Sequence, residues 1–279
     1  MYSICILNYN DSPTTIKLIY RVLSFKTLDH VIVVDNASTD DSYEKLSKIK
    51  NEKVHIVQSG KNGGYGFGNN IGVRYGYEKL HAKYIAICNP DIIVNEEALV
   101  SCCDFLSANN NVTVAAPQML DRNKKVVKNC VWPISTGIQY LCFSLMIFGR
   151  FFNKQYGEDN SENMKVDCVA GSLLVTDAKA FIQYGMYDEN VFLFCEETIL
   201  GIKLRNASRD SYLIKSVNFV HYHSVSINKS IKKKLDQKKL MWDSRLYVLK
   251  EYYKWTPFKM LFAKLIRTIC LLEDLIISK

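Results

Sequence analysis

Two neighbouring carboxylates, Glu196 and Glu197, stand in the stretch "YDENVFLFCEETILGIKLRNAS", where they open a segment with apolar residues at helical spacing, Ile199, Ile202 and Leu204. Acids in a first helical turn complement the helix dipole, and a carboxylate near an acceptor hydroxyl can take its proton. A third acid, Asp91, ends the apolar run "KYIAICNPD". Pro90 can neither donate a ladder hydrogen bond nor continue a central strand, so the strand stops there and Asp91 projects beyond it. A hard cation held by such a carboxylate can bridge a diphosphate. His221 ends another strand, "SYLIKSVNFVHYHSVS"; at such a position a histidine is a metal or diphosphate ligand or a partner in a structural hydrogen bond. His223 has no assigned role.

The elements that must position these groups alternate along residues 1–91. "YSICILNYN", "HVIVVDNAS", "KVHIVQS" and "KYIAICNPD" read as strands. Between them "PTTIKLIYRVLSF", "TDDSYEKLSKIK" and "GFGNNIGVRYGYEKL" read as helices, the first with Ser12 as cap and Pro13 as first helical residue. Near-continuous apolar strands alternating with helices predict an α/β fold with a mostly parallel central sheet covered on both faces. Ligands bind such sheets beyond the carboxyl ends of the strands. There the sequence places Asn8, Tyr9 and Asn10, then Asp35 and Asn36, the loop "GKNGGYGFGNN", and Asn89 with Asp91. Asn and Asp can hydrogen-bond a base and ribose, and Gly63, Gly64, Gly66 and Gly68 let backbone approach a ligand. The set describes a nucleotide-diphosphate site. The alternative for residues 35–41 is a capped strand-to-helix turn.

Other phosphate and metal motifs fail on spacing. A G-x-G-x-x-G reading ends on Asn69 or Ile71, and the acid of the second strand precedes the glycines rather than following them. "DNASTDDSYE" has Ala37 at the third position of a calcium loop and no glycine at the sixth. The nine cysteines include no C-x-x-C, which speaks for reduced thiols rather than a disulfide framework or zinc site. The net charge of +8 suits anionic lipid, nucleic acid or a phosphorylated small molecule and does not choose among them. The N-terminus enters a strand with no basic leader, so a cytoplasmic protein is expected. Residues 131–149 carry no charge, but the apolar core at 140–148 is well short of the ~20 residues of a bilayer span.

Taken in order, "CILNYN", "VVDNASTDDS", "NGGYGFGNNIG", "CNPDIIV", "VAGSLLVT", "YDENVFLFCEE" and "VHYHSVS" resemble the inverting glycosyltransferases of family 2, in particular their bacterial rhamnosyltransferase-like branch. The resemblance covers residues 2–226 and implies the GT-A fold, a Rossmann-like mostly parallel sheet flanked by helices. It implies a glycosyltransferase domain over 1–226, with a nucleotide-binding half to about 115 and an acceptor-binding half from about 116. It places Asn8, Tyr9, Asp35, Asn36 and Ser38 at the nucleotide, and Asn62, Gly63, Gly64 and Asn69 at the sugar diphosphate. Asn89 and Gly171 belong to the same donor site. Asp91 matches the last acid of the family's D-x-D, written here N-x-D, and with His221 would hold Mg2+ or Mn2+. Glu196-Glu197 stands where the family usually has Glu-Asp, which makes Glu197 the base. Ile199 replaces an acid usual two residues later, and Lys203 an arginine.

The implied reaction moves a sugar from a UDP- or dTDP-sugar, dTDP-rhamnose among them, to a hydroxyl of a lipid-linked glycan acceptor in bacterial surface polysaccharide synthesis. A sugar-1-phosphate nucleotidyltransferase, wanting a basic glycine loop after the first strand, and a catalytically silent sugar-nucleotide-binding scaffold are the alternatives. No nucleic acid partner is expected. Residues 227–279 read as a basic helical extension, with lysines at 229, 232, 233, 234, 238 and 239. Phe258, Leu261, Phe262, Leu265, Ile266, Ile269, Leu272 and Ile276 share one helical face. That face fits an anionic membrane at the cytoplasmic side, the protein's own domain or a homodimer.

Overall fold

The computed structural model describes residues 1–142, 156, 161–222 and 234–277, with side chains through 272. His223 and the lysines at 229, 232 and 233 lie outside the described residues. Strands β1 (Tyr2–Asn8), β2 (Leu28–Asp35), β3 (Val54–Gln58) and β4 (Tyr84–Cys88) form the parallel half of one central sheet, in the order β3-β2-β1-β4. Their connections are α1 (Ser12–Val22), α2 (Ser42–Ser47) and α3 (Tyr65–Leu80). β5 (Ile92–Val94) and α4 (Glu96–Ala108) follow, the helix capped by the Asn95 side chain accepting from the Ala98 N–H.

The second half is mixed. β6 (Val112–Leu120) leads to a small sheet of β7 (Val131–Trp132) and β9 (Cys168–Val169). Around these come α5 (Gly137–Cys142), β8 (Asn163–Val166) and β10 (Leu173–Asp177). The chain then runs through α6 (Ala178–Ala180) with a π turn over Phe181–Gly185, α7 (Glu196–Asn206), β11 (Asp210–His221), α8 (Lys234–Glu251) and α9 (Pro257–Ile277). β10 lies antiparallel between β4 and β6, β6 pairs parallel with β11, and β5 and β8 run antiparallel to β11. The expected α/β architecture with a parallel nucleus and a helical C-terminal part is present.

The apolar stretch 166–176 divides at Ala170-Gly171-Ser172, which leave the ladder to line a cleft. Residues 114–120 belong to the central strand β6, with one bridge between Leu120 and Val126 beyond it. The apolar content of these residues serves the core of the sheet.

Core packing explains the last glycine of the loop and two that follow it. Gly68, Gly72 and Gly76 recur every fourth residue along α3, the side that meets the sheet. A Cβ on each would come 2.2 Å from Leu7 Cδ1, 2.2 Å from Cys5 Sγ and 2.8 Å from the Cδ1 atoms of Ile32 and Ile85. These glycines set how close α3 lies to β1 and β2, and with them how near Gly64 stands to the strand ends.

The C-terminal helices are joined to the domain. Val248 of α8 shares an apolar cluster with Ile134, Cys168, Val191, Ile199 and Ile202. α9 packs on α8 through Ala263 and Cys270, with Ile266 also turned inward, away from the outer face where the sequence placed it. No helix among the described residues is long and apolar enough to cross a membrane.

Gly72→Val places carbon atoms where Cys5 and Val34 already sit. It is expected to lower stability by about 1–3 kcal/mol through overpacking, read as a lower urea midpoint with an unchanged slope. An unchanged midpoint would show that α3 moves off the sheet at no cost.

Candidate active site

The carboxyl ends of β1, β2 and β4 open on a cleft of about 360 Å3. Its wall includes Tyr9, Asn36, Asn62, Gly64, Asn89, Gly171, Glu196, Glu197 and His221, so the structure brings together nine of the residues singled out in the sequence. Asp91 sits just behind, next to Pro90 and His221. The others lie beneath the surface and hold it in shape.

That supporting layer is a hydrogen-bonded frame. Asn8 is wholly buried; its amide donates to Asp35 Oδ1 at 2.9 Å and Ser38 Oγ at 3.2 Å, while Thr15 donates to its carbonyl at 2.8 Å. Ser38 returns its hydroxyl to Asp35 Oδ1 at 2.6 Å and its backbone N–H to Oδ2 at 3.1 Å. The first two strand ends are thereby locked together. Asn36 then reaches the glycine loop, donating to Asn62 Oδ1 at 3.0 Å and to the Gly64 carbonyl at 3.1 Å. Gly64 has φ +93°, and a Cβ there would strike the Phe192 carbonyl at 2.0 Å, so only glycine fits. A Cβ at Gly63 would meet the Phe67 ring at 2.3 Å. Asn69 is fully buried within α3, donating to the Tyr65 carbonyl. Asn70, its neighbour, is the one that reaches across: it donates to the Tyr187 carbonyl at 2.9 Å and accepts the Tyr187 N–H at 3.0 Å.

The opposite wall is the loop leading into α7. Phe194 and Cys195 both have φ of +71°, a left-handed pair that costs of order 1–3 kcal/mol per residue and persists only when its surroundings fix it. The fixing contacts are visible. The Tyr65 N–H donates to the Phe192 carbonyl at 2.9 Å, and Ser244 of α8 donates to the Leu193 carbonyl at 2.7 Å. Further back, Asp188 accepts the hydroxyls of Tyr247 and Tyr252 of α8 at 2.9 and 2.6 Å and two bonds from Asn190. Burial pushes the Asp188 carboxyl up, but these hydrogen bonds outweigh it and hold the group below its ordinary range. Lys203 donates to the Met186 carbonyl at 2.6 Å, so the lysine in the arginine's place also anchors α7 to this loop. Ile199 is fully buried in the cluster under it.

The strained turn delivers the acid pair. Glu196 is buried, at 3% exposure, and Glu197 faces the cleft. Glu197 Oε1 accepts the Gly171 N–H at 3.1 Å, and the Gly171 carbonyl accepts the Tyr65 hydroxyl at 2.5 Å. Burial raises the proton affinity of Glu196, and the charge of Glu197 raises it further; burial also raises Glu197, against hydrogen bonds from its own N–H and that of Gly171. Desolvation likewise raises the hydroxyls of Tyr65 and Tyr187 beside them.

Glu196 Oε1, Ser172 Oγ and Asp91 Oδ1 are buried around the cleft without a hydrogen-bond partner. A buried polar atom left unpaired calls for a physical reason, and a bound ion, water or ligand is one such reason. His221 Nε2 lies 3.3 Å from Asp91 Oδ1, close but without hydrogen-bond alignment. No cluster of three or more His, Cys, Asp or Glu suited to a metal occurs among the described residues. Asp91 and His221 stand as a pair, with no third side chain of these types completing a set around them among the described residues. Sequence reasoning passed over Asp11, Tyr65 and the run Phe192-Leu193-Phe194-Cys195, all on the cleft wall. Asp11 and Tyr65 stood beside chosen residues, whereas the aromatic run looked like core.

Comparison with known proteins decides the class. The sequence profile of "Glycosyl transferase family 2" matches residues 3–173. The chain belongs to glycosyl transferase family 2. It is 27% identical over 224 residues to the low-salt glycan biosynthesis hexosyltransferase Agl10 of Haloferax volcanii, covering 80% of this chain and 67% of that one. It is 25% identical over 192 residues to the dTDP-rhamnosyl transferase RfbF of Shigella flexneri, covering 69% of this chain and 59% of that one. In fold it is similar to GalNAc-T7, solved with UDP, GalNAc and Mn2+. The TM-score is 0.64 at 14% identity, over 91% of this chain and 49% of that one. The family 2 chain thus spans about half to two thirds of these relatives, and its sheet is that of the GT-A fold.

A carboxyl whose proton affinity rises on folding contributes stability that is complete below the ordinary glutamate value of 4.5 and is lost as pH climbs toward the raised one. Glu196→Gln should therefore melt higher than wild type above that pH, by a margin that grows with pH and closes below it. A margin independent of pH would mean the pair is not desolvated. Tyr247→Phe with Tyr252→Phe removes two donors from Asp188, at about 1.5–3 kcal/mol each for bonds to a charged group. The urea midpoint should drop and limited proteolysis should cut the 188–195 loop faster; unchanged cutting would show that α8 does not hold the loop.

Proposed function

We propose that this family 2 glycosyltransferase transfers a sugar with inversion from a nucleoside-diphosphate sugar to a hydroxyl of a glycan acceptor, with Glu197 as base. The observation that carries this reading is the single cleft shared by the buried acid pair at the head of α7 and by Asp91 with His221. The acceptor hydroxyl approaches the anomeric carbon from the Glu197 side. As its oxygen forms the new glycosidic bond and the bond to the diphosphate breaks, its proton passes to Glu197. A raised proton affinity suits that role, and the Gly171 N–H holds the receiving carboxylate in place. Glu196, one residue earlier and buried, is the acid whose proton affinity the charge of Glu197 raises further.

The cleft also argues for a cation. Asp11, Glu196 and Glu197 line it, while no Lys or Arg does among the described residues. A diphosphate entering there meets carboxylates, so its charge must be neutralised by something the nucleotide brings. Mg2+ or Mn2+ on Asp91 and His221 fits the orphaned Asp91 oxygen and would stabilise the departing diphosphate. Asn36, Asn62 and Tyr9 are the side chains placed to meet the nucleotide, with Asn8, Asp35 and Ser38 keeping the pocket in shape. The name of RfbF supports a dTDP-sugar such as dTDP-rhamnose, and the GalNAc-T7 complex supports a UDP-sugar with Mn2+. A lipid-linked acceptor at the inner face of the cell membrane accords with the outer surface of α9.

The test pairs binding with turnover. Glu197→Gln should keep the thermal shift given by UDP or dTDP with Mn2+ while lowering kcat by ~10²–10⁴. Asp91→Asn should lose the Mn2+-dependent part of that shift. Wild-type turnover in both variants would sink these roles.

A further inference from the structure

α9 is apolar on two sides. Its inner side packs on Trp242 and Leu249 of α8 and on Leu141 of α5. On its outer side Phe258, Leu261, Phe262, Leu265, Ile269 and Leu272 are 41–82% exposed. At 3.6 residues per turn these six side chains fall in an arc of about 100°, one continuous stripe opposite the packed side. Scattered exposed apolar residues are ordinary, but a contiguous stripe of this kind marks a surface that meets something. Among the described residues nothing covers it.

The charges around the stripe say what it meets. From Tyr252 to Leu272 the chain has Lys254, Lys259, Lys264 and Arg267 and no acid. Arg267 is engaged with Asp243 at 2.7 Å, on the inner side. Lys259 and Lys264 are exposed and flank the stripe, one on each edge, about 110° from its centre. Long cationic side chains so placed bury their stems against an apolar phase and hold their ammonium groups at a layer of phosphates. A second copy of the chain would instead bring these same lysines against each other, with no acid on the described part of the stripe to pair with them. The helix is not of the kind that crosses a bilayer.

We infer that the outer face of α9 seats in the headgroup region of an anionic bilayer, with the helix lying in the membrane plane and the lysines in the phosphate layer. This goes beyond sugar transfer and does not rest on any role for Asp91 or Glu197. It gives the domain a fixed attitude: α8 lies directly behind α9 and holds the 188–195 loop, so the acceptor wall of the cleft is tied to the lipid-facing helix.

The experiment is cosedimentation of the full chain, without donor, with vesicles of phosphatidylcholine alone or with phosphatidylglycerol added. Retention is expected on the anionic vesicles, falling as salt screens the charges. Leu261→Glu with Leu265→Glu, both outside the packed core, should keep the melting temperature and lose retention. Lys259→Ala with Lys264→Ala should lower partitioning on anionic vesicles roughly 30-fold, about fivefold per cation. Undiminished retention of the two-glutamate variant would overturn the inference. So would a wild-type chain that ignores both vesicles and forms a dimer which the glutamates dissolve.

Discussion

Two adjacent carboxylates removed from water at the start of α7 are the constraint around which the catalytic half is built. Taking a charge into a protein interior costs several kcal/mol unless it is paired. Here no Lys or Arg lines the cleft among the described residues. What compensates is modest: the positive end of a helix, about 0.3–1 kcal/mol at an exposed site and more where partly buried, and backbone N–H groups, those of the two acids themselves and of Gly171. The balance is left unfavourable to the ionised pair, and the raised proton affinity of both groups expresses it. Such a site is stable only because the surrounding fold over-determines its geometry. The left-handed pair Phe194-Cys195 is held from three sides, by α3 through Tyr65, by α8 through Ser244, and by the bonds of α7 itself.

The donor wall is organised on a different principle. There Asn8, Asp35 and Ser38 exhaust most of their hydrogen bonds on one another before any ligand arrives. A satisfied frame is rigid, and rigidity is what a nucleotide site gains from it, since binding then pays little to order the loops. Unsatisfied buried atoms remain on Asp91, Ser172 and Glu196, and of Asn8, Asp35, Asn36 and Ser38 on this wall only Asn36 keeps one, its Oδ1. The frame beneath the cleft is thus more fully bonded than the atoms that line it.

The parallel nucleus was legible because buried strands and amphipathic helices have different periods, and the strand ends were legible because Asn, Asp and Pro interrupt apolar runs so abruptly. Which side chain at a strand end touches ligand and which braces its neighbour was not, because that depends on direction. Asn8 and Asn36 look alike in sequence, yet one is wholly buried and the other lines the cleft. The same limit applies to Asn69 and Asn70, adjacent on α3: a turn of about 100° separates a residue kept within the helix from one that clamps Tyr187. Gly63, Gly64, Gly66 and Gly68 were read as room for a ligand. Gly64 lines the cleft, yet its missing Cβ makes room for the Phe192 carbonyl, and Gly68, like Gly72 and Gly76 after it, makes room for the sheet, a demand set by helix-to-strand distance that spacing alone does not announce. The Phe192–Cys195 run was missed because apolar residues ordinarily mean core, and only the fold shows them turned to the cleft.

Why the domain continues past its sheet follows from the strained loop. Residues 188–195 have no ladder of their own, and a loop of that length with two left-handed residues would sample many conformations if left to itself. α8 removes that freedom with bonds to Asp188 and Leu193 and with Val248 inserted among Ile134, Val191 and Ile199. α8 in turn needs an apolar partner on its other side, because Trp242 and Leu249 point away from the domain's main core, and α9 supplies it. Once α9 is there for that reason, its outer side is free of structural duty. A helix required only to cover α8 would be polar outward; this one is apolar outward over Phe258 to Leu272, with cations at its edges. Packing demands account for one face of α9 and not for the other, which is the face inferred above to seat on an anionic bilayer.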